Sequence, residues 1–282
     1  MTDRWAAWLL ERRHGGDAER LRELLVQLGQ WRDRVLDNAG LGPDDVLLDA
    51  GCGDGLIAFG ALERGAAKVI LSDVSAELLD VCREIAAGDP RCEFVLGSVD
   101  ELPLPDESVD VATTRSVLIY VEDKLRALRE LHRVLRPGGR LSIFEPINSF
   151  AYPQPEHRFA FWDVSPVVEL SNRMKAHYRS VAPDQTLIDF DERDLVRWAE
   201  EAGFGEVRLD YEVRIEPGYR VPGWEAYEQS SGNPLAPTLR ETADAALGPA
   251  NAERFLGHLR AENEAGRGID RAAVAFLWAV KR

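Results

Sequence analysis

Cysteine is scarce in this sequence, and its arrangement excludes two kinds of site. Only three cysteines, Cys52, Cys82 and Cys92, occur in 282 residues. They form no CxxC pair and no cluster with histidine, so neither a disulfide framework nor a zinc site is indicated. We interpret all three as reduced, small apolar residues, and we expect the protein to hold no metal.

Long apolar runs and an excess of basic charge are also lacking. No apolar run approaches the about 20 residues of a membrane span, and the segment MTDRWAAWLLERR is too charged for a secretory signal. We therefore expect a cytoplasmic protein without a membrane partner. Basic residues number 34 against 49 acidic ones, which gives a formal net charge of −15. Such a surface repels phosphate backbones, so we expect no nucleic-acid partner. The oligomeric state stays open.

The most informative stretch is VLLDAGCGDG at residues 46–55. It joins an apolar run, typical of a buried strand, to Asp49 and then to Gly51, Gly53 and Gly55. Glycine permits backbone conformations that other residues avoid, and it lets a ligand approach backbone N–H groups at a helix start. The pattern predicts a nucleotide-binding loop. A tight strand-to-helix turn without a ligand is the alternative.

Two acids narrow the choice of nucleotide. A dinucleotide fingerprint requires a third glycine where this chain has Leu56. Asp49 suits a ligand that bears an ammonium group and a sulfonium better than it suits a pyrophosphate. Asp73 follows 24 residues later at the end of a second apolar run, close to the interval of a ribose-binding acid. Its alternative role is to cap the helix that begins near Ser75.

The D-x-G-x-G-x-G arrangement that starts at Asp49 resembles the first motif of the class I S-adenosylmethionine-dependent methyltransferases. The stretch GSVDELPLPDESVDVATTRSVLIYV at 97–121 resembles later regions of the same family. The resemblance covers residues 44–146 closely, and 188–213 and 272–282 more loosely. It implies an α/β, Rossmann-like, doubly wound fold whose seven-stranded sheet is mostly parallel, with the last strand antiparallel.

The expected organisation places N-terminal helices and two helical insertions around this core. Helices 3–14 and 17–38 carry an apolar stripe, which indicates either simple packing or a lid over the cofactor. The expected segments are an N-terminal helical lid (1–42), a cofactor-binding core (43–146), a substrate-side insertion (147–187), the core continued (188–213), a second insertion (214–270) and the final core strand (271–282).

The resemblance implies S-adenosylmethionine (SAM) as cofactor. The expected cofactor-binding residues are Asp49, Gly51, Cys52, Gly53, Gly55, Asp73, Val74, Ser98, Val99, Asp100, Thr114 and Arg115. Asp49 and the glycines would hold the methionine end, and Asp73 the ribose. The family commonly has an aspartate at the position of Ser98 for the adenine amino group, so Asp100 is an alternative partner. Arg115 is assigned to the methionine carboxylate or the substrate, or to an ordinary salt bridge.

The aromatic run within 147–187 predicts a substrate wall, with a purely local aromatic cluster as the alternative. The expected substrate contacts are Tyr120, Asn148, Tyr152, Phe159 and Trp162. The expected catalytic residues are His157, Tyr120 and Glu145. His177 is the second histidine to consider as a base.

These features predict methyl transfer to a small-molecule or peptide acceptor, through oxygen or nitrogen, by in-line displacement. Positioning is the expected main catalytic effect, worth up to ~7–11 kcal/mol. Two other classes remain open: a SAM-binding regulatory protein without chemistry, and an NAD-dependent oxidoreductase, which Leu56 and Asp49 disfavour.

Overall fold

The computed structural model describes residues 3–181 and 186–282. The remaining residues, 1, 2 and 182–185, fall within the predicted lid and the predicted first insertion and lie outside this description. No described helix combines the length and the apolar character that crossing a membrane requires.

The N-terminal part of the chain is helical, as predicted for 3–14 and 17–38. Helix α1 (Arg4–Ala7) is followed by a π-helical turn (Trp8–Arg12) and by helix α2 (Ala18–Ala39). The first predicted helix therefore changes its winding after a single α-helical turn. Asp17 begins α2 by accepting a 2.8 Å hydrogen bond from the backbone N–H of Arg20.

The strands, in chain order, are β1 (Val46–Ala50), β2 (Lys68–Asp73), β3 (Cys92–Leu96), β4 (Val109–Arg115), β5 (Leu135–Pro146), β6 (Arg158–Phe159), β7 (Trp162–Asp163), β8 (Phe204–Tyr219) and β9 (Gly268–Lys281). The helices after α2 are α3 (Leu56–Glu63), α4 (Ala76–Ala86), α5 (Lys124–Val134), α6 (Val168–Val181), α7 (Glu192–Ala202), α8 (Trp224–Glu228), α9 (Leu239–Leu247) and α10 (Pro249–Glu264).

Seven of the strands form one sheet in the order β3-β2-β1-β4-β5-β9-β8. Strands β1 to β5 pair in parallel, and β9 is antiparallel to both β5 and β8. This confirms the predicted fold class, with the antiparallel last strand. The strand order reverses between β1 and β4, and open α/β sheets bind ligands beside the carboxyl ends of strands at such a point.

Alternating side chains of the inner strands build a core on each face of the sheet. Leu47 packs with Leu36 of α2 and Ile57 of α3, whereas Leu48 packs with Leu128 of α5 on the opposite face. Both leucines are fully buried. This two-sided burial explains why the strand is a continuous apolar run, and it holds the acid and glycines that follow at the sheet edge.

The two insertions pack against each other and form one helical unit with its own core. The β6–β7 hairpin and α6 come from the first insertion, and α9 and α10 come from the second. Trp162 and Phe255 are among the largest fully buried side chains of this unit. A third hydrophobic core therefore lies beside the sheet.

The last two strands are longer than predicted. The sequence predicted that the core stops at 213 and resumes at 271, but β8 and β9 pair from Phe204 opposite Lys281 to Tyr219 opposite Gly268, with register shifts after Phe204 and after Pro217. The residues of β8 beyond 213 include charged residues, Pro217 and Gly218, so local propensity did not mark them as strand. Pairing with β9 overrides that propensity. The second insertion is consequently 220–267.

Candidate functional site

The glycine loop after β1 has a backbone that requires glycine. Gly51, Gly53 and Gly55 have φ angles of +72°, +56° and +80°, in the left-handed region that side chains disfavour. A Cβ on Gly51 would overlap Val117, and one on Gly53 would lie 3.2 Å from Leu9. The loop is therefore closely surrounded on its open side. Its backbone is also held from within, because Gly51 and Cys52 donate hydrogen bonds to the carbonyl of Ser72, and Gly55 donates one to the carbonyl of Cys52.

Asp49 lies beneath this loop and does not line the pocket at the sheet edge. Its carboxylate is 1% exposed and accepts a 3.1 Å hydrogen bond from the N–H of Ala58 in the first turn of α3. Burial raises the pKa of Asp49 to about 7, although the hydrogen bond from Ala58 and the charge of Arg115 oppose this shift. Asp49 thus anchors the helix start.

Asp73 connects the glycine loop to the end of β2. One carboxylate oxygen accepts a 2.9 Å hydrogen bond from the N–H of Gly53, and the other accepts one of the same length from Ser75. Burial raises its pKa. Ser75 itself caps α4, so the capping alternative considered for Asp73 is not required. Asp73 also lines the pocket beside the loop.

The pocket encloses about 170 Å³ at the carboxyl ends of β1, β2 and β4. Eight of the predicted site residues line it. The loop and β2 contribute Gly51, Gly53, Asp73 and Val74. The segments after β3 and at the end of β4 contribute Ser98, Val99, Arg115 and Tyr120.

Besides Asp49, four other predicted cofactor residues lie outside the pocket lining. Cys52 is buried under the loop, and Gly55 begins α3. Thr114 is fully buried within β4. Asp100 accepts a hydrogen bond from the Ser98 hydroxyl, so it orients Ser98 from behind. Ser98 is therefore the residue of this pair that faces the pocket.

One wall of the pocket comes from the N-terminal segment, none of whose residues the sequence predicted as site residues, although a lid was one of its two expected roles. Trp5, Trp8, Leu9 and Arg13 line the pocket opposite the glycine loop. The ring of Trp5 meets that of Tyr120 edge-on, with 5.0 Å between centroids. The apolar stripe of this segment was the available signal, but its period fits packing equally well.

Hydrogen bonds hold this wall in place at both of its ends. At one end Asp3 accepts a hydrogen bond from the Ser75 hydroxyl, and its own N–H donates to Glu77 over 3.1 Å. At the other end the indole N–H of Trp8 donates to the carbonyl of Ser231 over 2.8 Å. The N-terminal segment therefore bridges α4 and the second insertion across the mouth of the pocket.

Two guanidinium groups face the pocket, and that of Arg13 lies 5.4 Å from the centroid of the Trp8 ring. Among the described residues, the side chains of Arg13 and Arg115 have neither a hydrogen bond nor an ion pair. Burial, followed by repulsion from Arg115, lowers the pKa of Arg13 to about 10. The pocket thus carries two cationic groups with which an anionic group of a ligand can form hydrogen bonds.

The catalytic role predicted for Glu145 needs correction. Its carboxylate is fully buried and accepts hydrogen bonds of 2.9 Å from the N–H groups of both Val117 and Leu118. A third, of 3.4 Å, comes from Ile119. Burial raises the pKa of Glu145 to about 7. Glu145 therefore holds the turn that carries Tyr120, and no part of it reaches the pocket.

The two histidines considered as bases lie away from the pocket, whereas Tyr120 lines it. His157 is exposed, and His177 is partly exposed on α6, and neither lines the pocket. Tyr120 does line it, and burial raises the pKa of its hydroxyl. A tyrosine with a raised pKa stays protonated near neutral pH, so the Tyr120 hydroxyl is able to donate a hydrogen bond into the pocket.

Three of the predicted substrate contacts have other partners. Phe159 and Trp162 belong to the core of the helical unit, and Trp162 is fully buried. The side-chain amide of Asn148 donates to the carbonyl of Leu187 over 3.0 Å. These positions correct the predicted substrate wall. Tyr152, by contrast, is 46% exposed.

Comparison with known proteins indicates the family of the chain. A methyltransferase-domain profile matches residues 48–143. The ubiquinone/menaquinone biosynthesis C-methyltransferase of Cronobacter sakazakii is 31% identical over 189 residues, which are 63% of this chain and 73% of that protein. The protein of the same name from Hahella chejuensis is 39% identical over 134 residues, 43% of this chain and 53% of that protein.

The sequence match covers a smaller share of several relatives. The structural likeness to solved structures covers more of the chain than the sequence match does. Four relatives are matched over only 34% to 53% of their own length. A solved structure of geranyl diphosphate methyltransferase in complex with SAM has a TM-score of 0.55 and 20% identity, and the likeness covers 95% of this chain and 94% of that one. This likeness shows a shared fold. Together with the match to the Cronobacter protein, the domain profile shows that the chain belongs to the class I SAM-dependent methyltransferases.

Proposed function

We propose that this protein transfers a methyl group from SAM to a small-molecule acceptor. The observation that carries the proposal is the pocket at the sheet edge. It combines a glycine loop that has no room for side chains, the carboxylate of Asp73, and the guanidinium groups of Arg13 and Arg115. SAM has a ribose that the carboxylate of Asp73 can bind and an amino acid end whose carboxylate the guanidinium groups can bind. It also has a base.

The residues present fit this cofactor. Asp73 would accept hydrogen bonds from the ribose hydroxyls, because a carboxylate has acceptor capacity beyond its two backbone donors. Ser98 and Val99 would meet the adenine, and Arg115 the methionine carboxylate. SAM supplies a methyl group that is already activated on a sulfonium.

The protein's own contribution would be to orient the acceptor and to keep water out. Trp5, Trp8 and Leu9 cover the pocket, and Tyr120 can donate a hydrogen bond to an acceptor oxygen. Holding two reactants in line lowers a barrier by up to ~7–11 kcal/mol. The two carboxylates that end β1 and β5, Asp49 and Glu145, are engaged by backbone N–H groups and are poorly placed to act as bases.

A small molecule suits the site better than a peptide does. The N-terminal segment closes across the pocket through the Trp8–Ser231 hydrogen bond and the 2.6 Å ion pair between Arg12 and Glu241. A long chain would need both contacts to open. The acceptor atom is oxygen or nitrogen in our proposal, and carbon belongs in any screen because the relatives above are named C-methyltransferases.

Binding and turnover test this proposal separately. We expect isothermal titration calorimetry to detect SAM and S-adenosylhomocysteine (SAH), and no NADH. We then expect an acceptor screen, read as SAH release with mass detection of the methylated product, to give turnover. Binding of NADH without SAM would overturn the cofactor assignment. Tight SAM binding with no product across oxygen, nitrogen and carbon acceptors would favour the regulatory alternative.

A further inference from the structure

Three polar side chains of the pocket, those of Arg13, Ser116 and Tyr120, are not assigned to any group of SAM. All three line the pocket, and we call them the polar corner. Ser116 and Tyr120 follow β4, whereas Asp73 ends β2, and β1 lies between these two strands in the sheet. In SAM the sulfonium that carries the methyl group lies between the ribose and the amino acid end. Ser116 and Tyr120 therefore lie on the far side of the glycine loop from the acid assigned to the ribose.

The turn that carries Ser116 and Tyr120 is held firmly by β5. The N–H of Ser116 donates to the carbonyl of Phe144 over 2.8 Å, and the next three N–H groups donate to the carboxylate of Glu145. Ser116 has a φ of +56°, in the left-handed region that side chains disfavour. A strained residue that faces a pocket points to a functional constraint. The four hydrogen bonds fix the direction in which this turn presents its side chains.

The polar corner offers hydrogen-bond donors to a bound molecule. Among the described residues, the hydroxyls of Ser116 and Tyr120 and the guanidinium of Arg13 make no hydrogen bond. The charge of Asp54 acts on Arg13 without an ion pair, and the pKa of Arg13, about 10, keeps it cationic at neutral pH. Burial raises the pKa of Tyr120, so its hydroxyl stays protonated. All three groups are therefore able to donate to an oxygen atom.

The donors of the polar corner lie near one another and beside aromatic rings. Arg13 and Tyr120 interact electrostatically with each other, and Arg115 acts on both. The ring of Trp5 meets that of Tyr120 with 5.0 Å between centroids, and the guanidinium carbon of Arg13 lies 5.4 Å from the centroid of the Trp8 ring. The corner therefore suits an apolar molecule with an anionic end.

The pocket lining lacks a base that could take a proton from an acceptor. Among the described residues that line it there is one carboxylate, that of Asp73, and no histidine. The two oxygens of Asp73 accept hydrogen bonds from the N–H groups of Gly53 and Ser75. A general base is needed when an acceptor binds with a proton on its reacting atom. The pocket is therefore better suited to an acceptor that is already ionised.

We propose that the polar corner binds a carboxylate of the acceptor, and that this carboxylate is the group that is methylated. This inference rests on the proposed function. One carboxylate oxygen accepts hydrogen bonds from Arg13 and Tyr120, and the other attacks the methyl carbon. The new C–O bond forms while the C–S bond breaks, and the electron pair of the C–S bond passes to sulfur. The products are a methyl ester and SAH, and no proton is transferred.

Other acceptor classes fit the polar corner less well. An ammonium group would meet the like charges of Arg13 and Arg115, and it would need a base to remove its proton. A neutral alcohol would need a base as well. An ionised enol shares the negative charge of a carboxylate, but it presents one oxygen where a carboxylate presents two. A carboxylate is ionised at neutral pH without help from the protein.

Matched sets of an acid, an alcohol and an amine on the same apolar body test the proposal. The sets are hexanoate, 1-hexanol and hexylamine; 3-phenylpropionate, 3-phenyl-1-propanol and 3-phenylpropylamine; and indole-3-acetate, tryptophol and tryptamine. Their affinities are measured by saturation-transfer NMR titration in the presence of saturating SAH. We expect at least one acid to bind about tenfold or more tightly than its alcohol and its amine, the size expected for a charged hydrogen bond. With SAM, the product of that acid is expected to release methanol in alkali, as an ester does and an ether does not.

Variants identify the groups responsible. Arg13→Gln is expected to abolish the preference for the acid and Arg13→Lys to restore part of it, while the affinity of Arg13→Gln for SAH falls by less than about tenfold because Arg115 is assigned to the carboxylate of SAM. Tyr120→Phe and Ser116→Gly are each expected to weaken the acid by about two to ten times. Ser116→Gly also removes the backbone strain, so it tests the hydroxyl without endangering the fold. Arg22→Gln, at an exposed position of α2, is the matched control and is expected to keep the full preference.

Two results would overturn the inference. One is that no acid of the three sets binds the wild type more tightly than its alcohol, and the other is an unchanged preference in Arg13→Gln. If the wild type fails to bind SAH at all, the proposed function fails instead. Binding of SAH without a preference for any acid leaves the proposed function intact, so the two failures are distinguishable.

Discussion

The backbone N–H of Gly53 donates a 2.9 Å hydrogen bond to the carboxylate of Asp73, which joins the glycine loop to the end of the neighbouring strand. The same carboxylate accepts from Ser75 at the start of α4. One side chain thus fixes two backbone segments that border the pocket. Asp73 is therefore a structural linker, and in our proposal it also binds the ribose of the cofactor.

Replacing Asp73 with asparagine is expected to weaken SAH binding by about tenfold or more, because an amide has one acceptor oxygen where two N–H groups and a ribose compete. Calorimetric titration of SAH measures this effect, with thermal unfolding as a check on the fold. Asp80→Asn, an exposed change on α4, is the control. Unchanged SAH affinity in a folded Asp73→Asn protein would contradict the ribose assignment.

Two glycines with nearly equal φ angles allow the cost of backbone strain to be measured apart from the cost of a steric overlap. Gly51 has a φ of +72° and would place a Cβ on Val117, whereas Gly16 has a φ of +73° and no atom within 4 Å of the point that a Cβ would occupy. Gly16→Ala is expected to cost about 1–2 kcal/mol of unfolding free energy, the strain alone. Gly51→Ala is expected to cost more and to abolish SAH binding. Urea unfolding and calorimetry check both; equal costs would mean that Val117 yields easily.

Burial of Glu145 predicts a particular pH dependence of stability. Its folded-state pKa, about 7, is raised above the ordinary 4.5. The stability that the protonated form contributes is therefore fully present below about pH 4.5 and is lost as the pH rises through 7. Asp49, also raised to about 7, adds a change of the same sign.

Glu145→Gln removes one of these titrations. Relative to the wild type, its unfolding free energy is expected to improve by up to about 3 kcal/mol between pH 5 and pH 8, because one pKa unit corresponds to about 1.4 kcal/mol. Urea unfolding at one-unit intervals measures the difference. Glu84→Gln, at an exposed position of α4, should show none. A constant difference between Glu145→Gln and wild type across this range would contradict the raised pKa.

The sequence was sufficient for the sheet and for the ligand-facing strand ends because these depend on local patterns. Leu47 and Leu48 are consecutive apolar residues buried on opposite faces, and Asp73 lies at a fixed interval along the chain. Such signals need no knowledge of distant contacts. The glycine loop and the position of Asp73 followed from them, whereas the fold class and residues such as Ser98 and Val99 followed from the family resemblance.

Residues whose environment depends on distant segments were harder to assign. Glu145 reads as an acid at a catalytic edge, but the backbone N–H groups that engage it belong to residues 117–119, more than 25 positions away. Trp162 reads as a pocket aromatic, but α10 and α8 bury it. The apolar stripe that includes Trp8 fits either packing or a lid, and its hydrogen bond to Ser231 could not be anticipated. In each case the role of the residue depends on a partner that the spacing of residues in the sequence does not reveal.

The hydrogen bond between Trp8 and Ser231 predicts a kinetic effect. Trp8→Phe keeps an aromatic ring over the pocket and removes the 2.8 Å bond that holds the segment closed. We expect SAH to dissociate about two to ten times faster, which corresponds to the ~0.5–1.5 kcal/mol of one hydrogen bond. Stopped-flow displacement measures the rate. Trp198→Phe, in α7 beside Phe190, is the matched control, and equal rates in the two variants would contradict a closing role.

The guanidinium groups of Arg13 and Arg115 are expected to contribute unequally to SAH binding. Arg115 ends β4, a central strand, whereas Arg13 follows the π-helical turn of the N-terminal segment. An arginine on a rigid strand loses less freedom when it binds a carboxylate. Arg115→Met is therefore expected to weaken SAH by about tenfold or more, and Arg13→Met by a smaller factor. 5′-Methylthioadenosine, which lacks the carboxylate, should bind both variants within about twofold of the wild type. If Arg115→Met weakens both ligands equally, Arg115 supports the shape of the pocket and does not bind the carboxylate.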